Sequence, residues 1–176
     1  MFIARRQATQ QIQKLRHAFR RAFVVGMASH FKLNEVSGDL FTAPPTHSLA
    51  HCVGADLAMG AGIAVKFKEV YGKLDELNAQ NPKTGSVAVL QDDQRYIYYL
   101  VTKEESWEKP TYESLEASLK KMRTHMLEHD VNKLAIPRIG CGIDGLEWER
   151  VTAILDNVFG KEQMEIVVYS FVPGGH

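Results

Sequence analysis

The sequence predicts an α/β domain of three layers, with a mixed central sheet flanked by helices. Three observations lead there. Short β-rich segments alternate with segments of helical periodicity, the pattern of strands joined by crossover helices. Two of the strands are separated only by a short polar turn, which places an antiparallel hairpin in an otherwise parallel plan. The 176 residues suit one core rather than two.

The elements follow in order. Residues 31–36 alternate apolar and polar side chains, as a half-buried strand does. Residues 48–53 are a short apolar run with Pro44-Pro45 before it and Gly54 after it. Residues 62–71 read as a helix that stops at Gly72, because glycine enters a helix-ending conformation without a Cβ penalty. Residues 86–90 and 95–102 are rich in β-formers, and Asp92-Asp93-Gln94 between them is the hairpin turn. Thr111, just after Pro110, is a good helix N-cap. From there Tyr112, Leu115, Leu119, Met122 and Met126 recur at helical spacing, a stripe that fits core packing better than a binding surface. Residues 133–136 form a short strand. Trp148, Val151, Ile154, Leu155, Val158 and Phe159 mark a second amphipathic helix, and residues 165–171 close the fold as a strand.

Composition excludes several classes. No apolar run approaches the roughly 20 residues of a membrane span. Two cysteines, Cys52 and Cys141, make neither a disulfide framework nor a cysteine-rich zinc site. A reduced, intracellular compartment is expected. The formal net charge is zero, but it is unevenly spread: residues 1–26 hold six of the 21 basic residues and none of the 21 acidic ones. The remaining chain therefore has 15 basic residues against 21 acidic, a net charge of −6. Such a body is poorly suited to duplex nucleic acid, whose binding depends on neutralising phosphates.

Residues 1–26 are set apart from the domain at 27–176. Ile12, Leu15, Phe19 and Phe23 fall at helical spacing with arginines between them. That pattern fits a mitochondrial transit peptide, and equally a surface helix, a membrane-surface helix or a stretch ahead of an alternative start at Met27. The expected location is nucleus or cytoplasm, or the mitochondrion if this segment is a targeting signal.

Two glycine-containing loops carry the chemistry. Ile139-Gly140-Cys141-Gly142-Ile143-Asp144-Gly145 follows a strand and precedes a helix. Glycines let backbone approach a ligand, and amides at a helix N-terminus attract phosphate. The segment also satisfies Gly-x-Gly-x-x-Gly. A dinucleotide fingerprint, however, opens the first βαβ unit and is followed by the rest of the fold. Here only one helix and one strand remain, so nicotinamide-dependent hydride transfer is disfavoured. A tight turn without a ligand is the plain alternative. The second loop, Met59-Gly60-Ala61-Gly62-Ile63-Ala64, also stands at a helix start. Two such loops can line one crevice at the sheet's carboxyl ends and hold a pyrophosphate with backbone amides, using little basic side-chain charge.

Around these loops the motifs become specific. Gly38-Asp39-Leu40-Phe41, Ser48-Leu49-Ala50-His51-Cys52-Val53, the 59–64 loop, Arg95-Tyr96-Ile97-Tyr98-Tyr99-Leu100-Val101-Thr102-Lys103 and residues 137–144 stand in order. Together they resemble the macrodomain family, in its branch of terminal ADP-ribose protein glycohydrolases and O-acyl-ADP-ribose deacylases, from about Phe31 to Phe171.

The resemblance implies a three-layer macrodomain and two catalytic positions. Lys103 would attack the anomeric carbon of the distal ribose, and Asp144 would assist proton transfer. By its neighbours alone, Lys103 beside Glu104 and Glu105 reads as a solvated lysine. Asp39 would accept the adenine amino group and Leu40 would supply a backbone amide. The remaining ADP-ribose contacts implied are His51, Gly54, Gly60, Ala61, Gly62, Arg138, Ile139, Gly140, Cys141, Gly142, Ile143 and Phe171. Of these, His51 lies with Cys52 in an apolar strand where core packing is the commoner role. Cys141 has no obvious histidine base beside it, which speaks against a nucleophilic cysteine. Gly54 departs from the family pattern, where a small polar residue is expected. The amino-terminal extension is also outside the family core.

The expected function is a hydrolase that removes ADP-ribose from acidic side chains and deacylates O-acyl-ADP-ribose. A reader module that binds ADP-ribose without turning it over is the alternative. No metal and no organic cofactor are implied. The expected partners are ADP-ribosylated proteins and O-acyl-ADP-ribose, with no membrane. Nucleic acid is expected only as an ADP-ribosylated substrate. The expected assembly is a monomer.

Overall fold

A computed structural model describes residues 30–170. The basic segment 1–26 and Phe171 lie outside them. Six strands form one sheet: β1 (Lys32–Ser37), β2 (Ser48–Gly54), β3 (Ser86–Asp92), β4 (Arg95–Lys103), β5 (Lys133–Pro137) and β6 (Glu165–Ser170). Their order across the sheet is β1-β6-β5-β2-β4-β3. Only the β3–β4 hairpin is antiparallel, turned through Asp93 at φ 52° with Asp92 opposite Arg95. The expected mixed sheet is therefore present.

Four helices are described: α1 (Ile63–Tyr71), α2 (Leu74–Ala79), α3 (Tyr112–Glu128) and α4 (Trp148–Phe159). They cover both faces, and β4 shows how the sequence encodes this. Tyr98 and Leu100 point to α3 and α4, packing with Leu115, Leu119, Met122 and Leu155. The alternate residues Ile97, Tyr99 and Val101 point the other way, to Phe67 of α1 and Leu77 of α2. A strand buried on both faces reads as a continuous apolar run, which β4 does. The stripe predicted from Leu115 to Met126 is core. Thr111 caps α3 as expected, and its side chain accepts from the Ser114 amide while Ser114 answers to the Thr111 amide.

Two short elements were not foreseen. The six-residue helix α2 buries only Leu77, too little to leave a periodic signal. A single 3-10 turn, Leu40–Thr42, is capped by Asp39. No helix among the described residues is long and apolar enough to cross a membrane.

One break in the sheet positions everything that follows. β2 pairs with β5 only through Ser48–Leu134 and Leu49–Ala135, at the start of both strands. Toward their carboxyl ends the two strands are no longer paired. From there the chain leaves β2 toward α1 on one face and leaves β5 toward α4 on the other. This is a topological switch point, where open α/β sheets hold ligands.

Candidate active site

The candidate residues converge because each follows the carboxyl end of a parallel strand. Asp39 follows β1, the 54–64 loop follows β2, Lys103 ends β4, and residues 138–144 follow β5. Between them lie two hollows. One, of about 310 Å³, has Gly54, Gly60, Lys103, Gly140 and Asp144 in its wall. The other, of about 890 Å³, has Asp39, Phe41, Lys66, Trp148 and Tyr169 in its wall. Gly62, Ile63, Pro137, Arg138 and Gly142 line both, so the hollows are two ends of one crevice across the switch point.

Both glycine loops are held in conformations suited to expose backbone. The first is pinned by Leu57 and Met59, which are buried although their φ values are 50° and 45°. Gly62 then adopts φ 60° and ψ −151°, a region essentially restricted to glycine, at the start of α1. In the second loop Gly140 has φ 72°, and a Cβ there would stand 2.7 Å from Leu146 Cδ1. Amides at these positions and the N-terminal end of α1 favour an anion lying along the crevice.

At one end of the crevice Lys103 Nζ donates to Asp144 Oδ1 at 2.6 Å. Their side chains are only 10% and 15% exposed, so water competes weakly for either group. Lys103 arrives there through a β-bulge: the register slips between Val53 and Gly54, and Gly54 lies opposite Lys103. Asp56 holds the chain just beyond. Its carboxylate accepts from the Ser106 amide at 2.9 Å and from the Ser106 hydroxyl at 2.5 Å. Burial pushes the Asp56 carboxyl up, but these donors win and hold it below its ordinary value. Gly54 fits beneath this loop because it lacks a side chain; a Cβ would stand 2.9 Å from the Ser106 amide nitrogen.

At the other end Asp39 accepts from the Phe41 amide at 2.9 Å and from Lys66 Nζ at 2.7 Å. Lys66 first, and then that amide, keeps the Asp39 carboxyl below its ordinary value. Lys66 also lies 4.5 Å from the centre of the Phe41 ring. Arg138 donates to Glu35 Oε1 at 2.5 Å and sits 5.7 Å from the Trp148 ring. Among the described residues no cluster of three or more histidine, cysteine or acidic side chains could hold a metal ion.

Fourteen of the sixteen candidate residues line the crevice. Leu40 does so at the Asp39 end, Ala61, Ile139 and Ile143 at the Lys103 end. Cys141 lines the Asp39 end, its thiol donating to the Ile139 carbonyl and pushed up by burial. His51 is not brought to the crevice. It is fully buried on the α1 side of β2, stacked 3.8 Å from the Phe67 ring and edge-on to Tyr99. Strand alternation turns His51 to that face and its neighbour Cys52 to the crevice. Phe171 lies outside the described residues. Lys66, Trp148 and the Asp56–Ser106 anchor were not foreseen. Lys66 had a faint signal, one helical turn after Gly62 on α1; the anchor joins residues 50 positions apart and had none.

Comparison with known proteins identifies the family and the fold. The Macro domain family model matches residues 50–155. ADP-ribose glycohydrolase OARD1 of Homo sapiens is 51% identical over 139 residues, covering 79% of this chain and 91% of that protein. The DNA ADP-ribosyl glycohydrolase of Thermus aquaticus is 29% identical over 148 residues, 78% of this chain and 41% of that protein. The solved macrodomain of Thermus aquaticus DarG superposes with a TM-score of 0.71 at 26% identity, covering 79% of this chain and 98% of that one.

Proposed function

Because this chain belongs to the Macro domain family, we propose that it is a hydrolase that releases ADP-ribose from acidic side chains of modified proteins, with Lys103 as nucleophile. The observation that carries the proposal is the shielded 2.6 Å contact between Lys103 and Asp144 at one end of the crevice, in a wall made mostly of glycines and small or apolar residues. A module that only binds ADP-ribose has no use for that pair.

The ligand's direction is the one the family resemblance implies, and the chemistry of the two ends supports it. Adenine offers an amino donor, which suits the ionised Asp39. The pyrophosphate suits the amides of the two glycine loops at the start of α1. The distal ribose is then left beside Lys103.

A lysine attacks through its neutral amine, and Asp144 is in hydrogen-bond contact to take the proton. The amine nitrogen bonds to the anomeric carbon of the distal ribose. The bond from that carbon to the ester oxygen breaks, and the substrate's glutamate or aspartate departs as a carboxylate. A carboxylate is stable as an anion, so it departs without a strong general acid. Water then displaces the lysine and yields free ADP-ribose, with Asp144 placed to activate it. The same step serves O-acyl-ADP-ribose when its acyl group is on the anomeric oxygen: the amine bonds to that carbon and the acyl group departs as its carboxylate.

The test is incubation with O-acetyl-ADP-ribose and with a glutamate-ADP-ribosylated protein, reading released acetate and free ADP-ribose. Product is expected from both. Tight ADP-ribose binding with no product would overturn the proposal.

A further inference from the structure

A third hollow, of about 610 Å³, shares Lys103 with the crevice. Its wall includes Thr102, Glu104, Trp107, Glu108 and Thr111, from the end of β4 to the cap of α3. The loop over it is firmly held. Glu108 accepts from the Glu104 and Glu105 amides at 3.2 and 3.0 Å, and Lys109 Nζ donates to the Ile143 carbonyl at 2.5 Å. Lys109 thus ties this loop to the one that carries Asp144.

Three features of the hollow have no use in the chemistry so far. Trp107 is 79% exposed, although the loop beneath it is pinned on both sides. Thr102 is only 2% exposed, yet its hydroxyl has no hydrogen-bond partner among the described residues. A buried hydroxyl left unpaired is costly in a protein interior unless something else satisfies it. Finally, acids outnumber bases around it: Glu104 and Glu108 line the hollow with Lys103 and Lys109, whose amines are engaged by Asp144 and the Ile143 carbonyl, and the exposed Glu105 stands just outside the wall beside Asp56. The slight desolvation at Glu105, followed by the negative charges of Asp56, Glu108 and Glu104, holds its carboxyl above the ordinary value.

We propose that this hollow receives the polypeptide to which ADP-ribose is attached, and that Trp107, Glu104 and Glu105 favour segments with lysine or arginine beside the modified residue. The proposal rests on the crevice holding ADP-ribose with its distal ribose at Lys103, since whatever is joined to that ribose must then lead away past Lys103. A cation over an indole face and a cation beside a carboxylate are both favourable in this setting. A nucleic acid would instead bring phosphates against Glu104 and Glu105, which repel them.

The test uses hydrolysis-resistant peptides, each with one amide-linked ADP-ribose, so that binding is read apart from turnover. One peptide has flanking lysines and arginines, one has flanking glutamates, and a third probe is an ADP-ribosylated single-stranded oligonucleotide. The basic peptide should bind about tenfold more tightly than the acidic one, the sum of one cation–π contact and exposed ion pairs. The oligonucleotide should bind no more tightly than free ADP-ribose. In the double variant Glu104→Gln, Glu105→Gln the gap between the two peptides should close, and Trp107→Ala should narrow it. All three side chains are exposed, so these variants are expected to fold, and circular dichroism checks that. Equal affinity for the two peptides, or a preference for the oligonucleotide, overturns the proposal whether or not the protein turns over O-acetyl-ADP-ribose. Absent turnover with the peptide preference intact would instead count against the hydrolase alone.

Discussion

Ile143 reaches across the crevice to Gly62: a Cβ built on that glycine would stand 3.4 Å from Ile143 Cδ1. The two residues belong to loops that leave the sheet toward opposite faces. Their approach narrows the passage between the Asp39 end and the Lys103 end, at the place where a pyrophosphate would pass. Ile143 is 64% exposed, so it stands over Gly62 without being packed in place.

Gly62→Ala should therefore weaken ADP-ribose binding by about tenfold or more. The backbone at φ 60° and ψ −151° costs on the order of 1–3 kcal/mol for any residue with a Cβ. The loop would relax away from that conformation and turn its amides from the ligand. Calorimetric titration with ADP-ribose checks this; an unchanged affinity would show that the loop does not hold the ligand.

Lys103→Ala should abolish turnover and any covalent adduct while leaving ADP-ribose binding measurable, because the glycine loops and Asp39 are untouched. Asp144→Asn should lower kcat by about 10² to 10⁴, the usual range for one proton-transfer group. Mass spectrometry of the protein trapped with substrate and borohydride reads the adduct. An active Lys103→Ala variant would show that the nucleophile is elsewhere.

The two ends of the crevice differ in how far the sequence revealed them. The glycine loops were legible because glycine at a strand-to-helix junction has few purely structural uses, and two of them in one chain imply a shared crevice. β4 was equally legible as a strand, because its β-formers run without a break. Lys103 was legible only through resemblance, because its neighbours Glu104 and Glu105 are exposed. Its shielding comes from Asp144, 41 positions away, and from a bulge at Thr102 of β4 that no local pattern announces. His51 shows the reverse case. A polar residue inside a ligand-associated motif suggested a contact, but strand alternation turned it into the core.

Asp39→Asn should weaken ADP-ribose binding by about tenfold, the loss of one hydrogen bond to a charged acceptor. The pH dependence follows from Lys66 and the Phe41 amide, which lower the Asp39 carboxyl from its ordinary 3.8. The carboxylate persists above that value and is lost only as pH falls through the lower folded value. Affinity should thus stay level from about pH 8 to about pH 5 as far as Asp39 is concerned. A fall in affinity near pH 6 that is absent from Asp39→Asn would contradict this.

His51 predicts a pH dependence of stability rather than of binding. Burial among aromatic rings lowers its pKa from 6.5 to about 3. Between those values the unfolded chain binds a proton that the folded chain does not. Stability is full above about pH 6.5 and falls as pH drops toward 3, by about 1 kcal/mol per pH unit. His51→Leu removes the titrating group, so its melting temperature should fall less steeply over pH 6.5 to 5 than that of the parent, whatever its value at neutral pH. Parallel curves for the two proteins would mean that His51 is not the source.

At Gly54 the family resemblance leads one to expect a small polar residue, and the structure shows what a side chain there would meet. A Cβ there would stand 2.8 Å from Asp56 Oδ1 and 2.9 Å from the Ser106 amide nitrogen. The second contact is with backbone and cannot be relieved by a rotamer change. Gly54→Ala or Gly54→Ser should therefore push the loop beyond Lys103 outward and break the Asp56–Ser106 anchor. Overpacking of this kind costs about 1–3 kcal/mol. Because Gly54 lies opposite Lys103 across the bulge, the displacement should also reach the amine, lowering kcat more than it changes the affinity for ADP-ribose. Ser106→Ala separates the two effects, since it removes one donor to Asp56 without adding bulk and should reproduce only part of the loss. A Gly54→Ser protein with unchanged stability and full activity would show that the loop yields freely, and that Asp56 does not position Lys103.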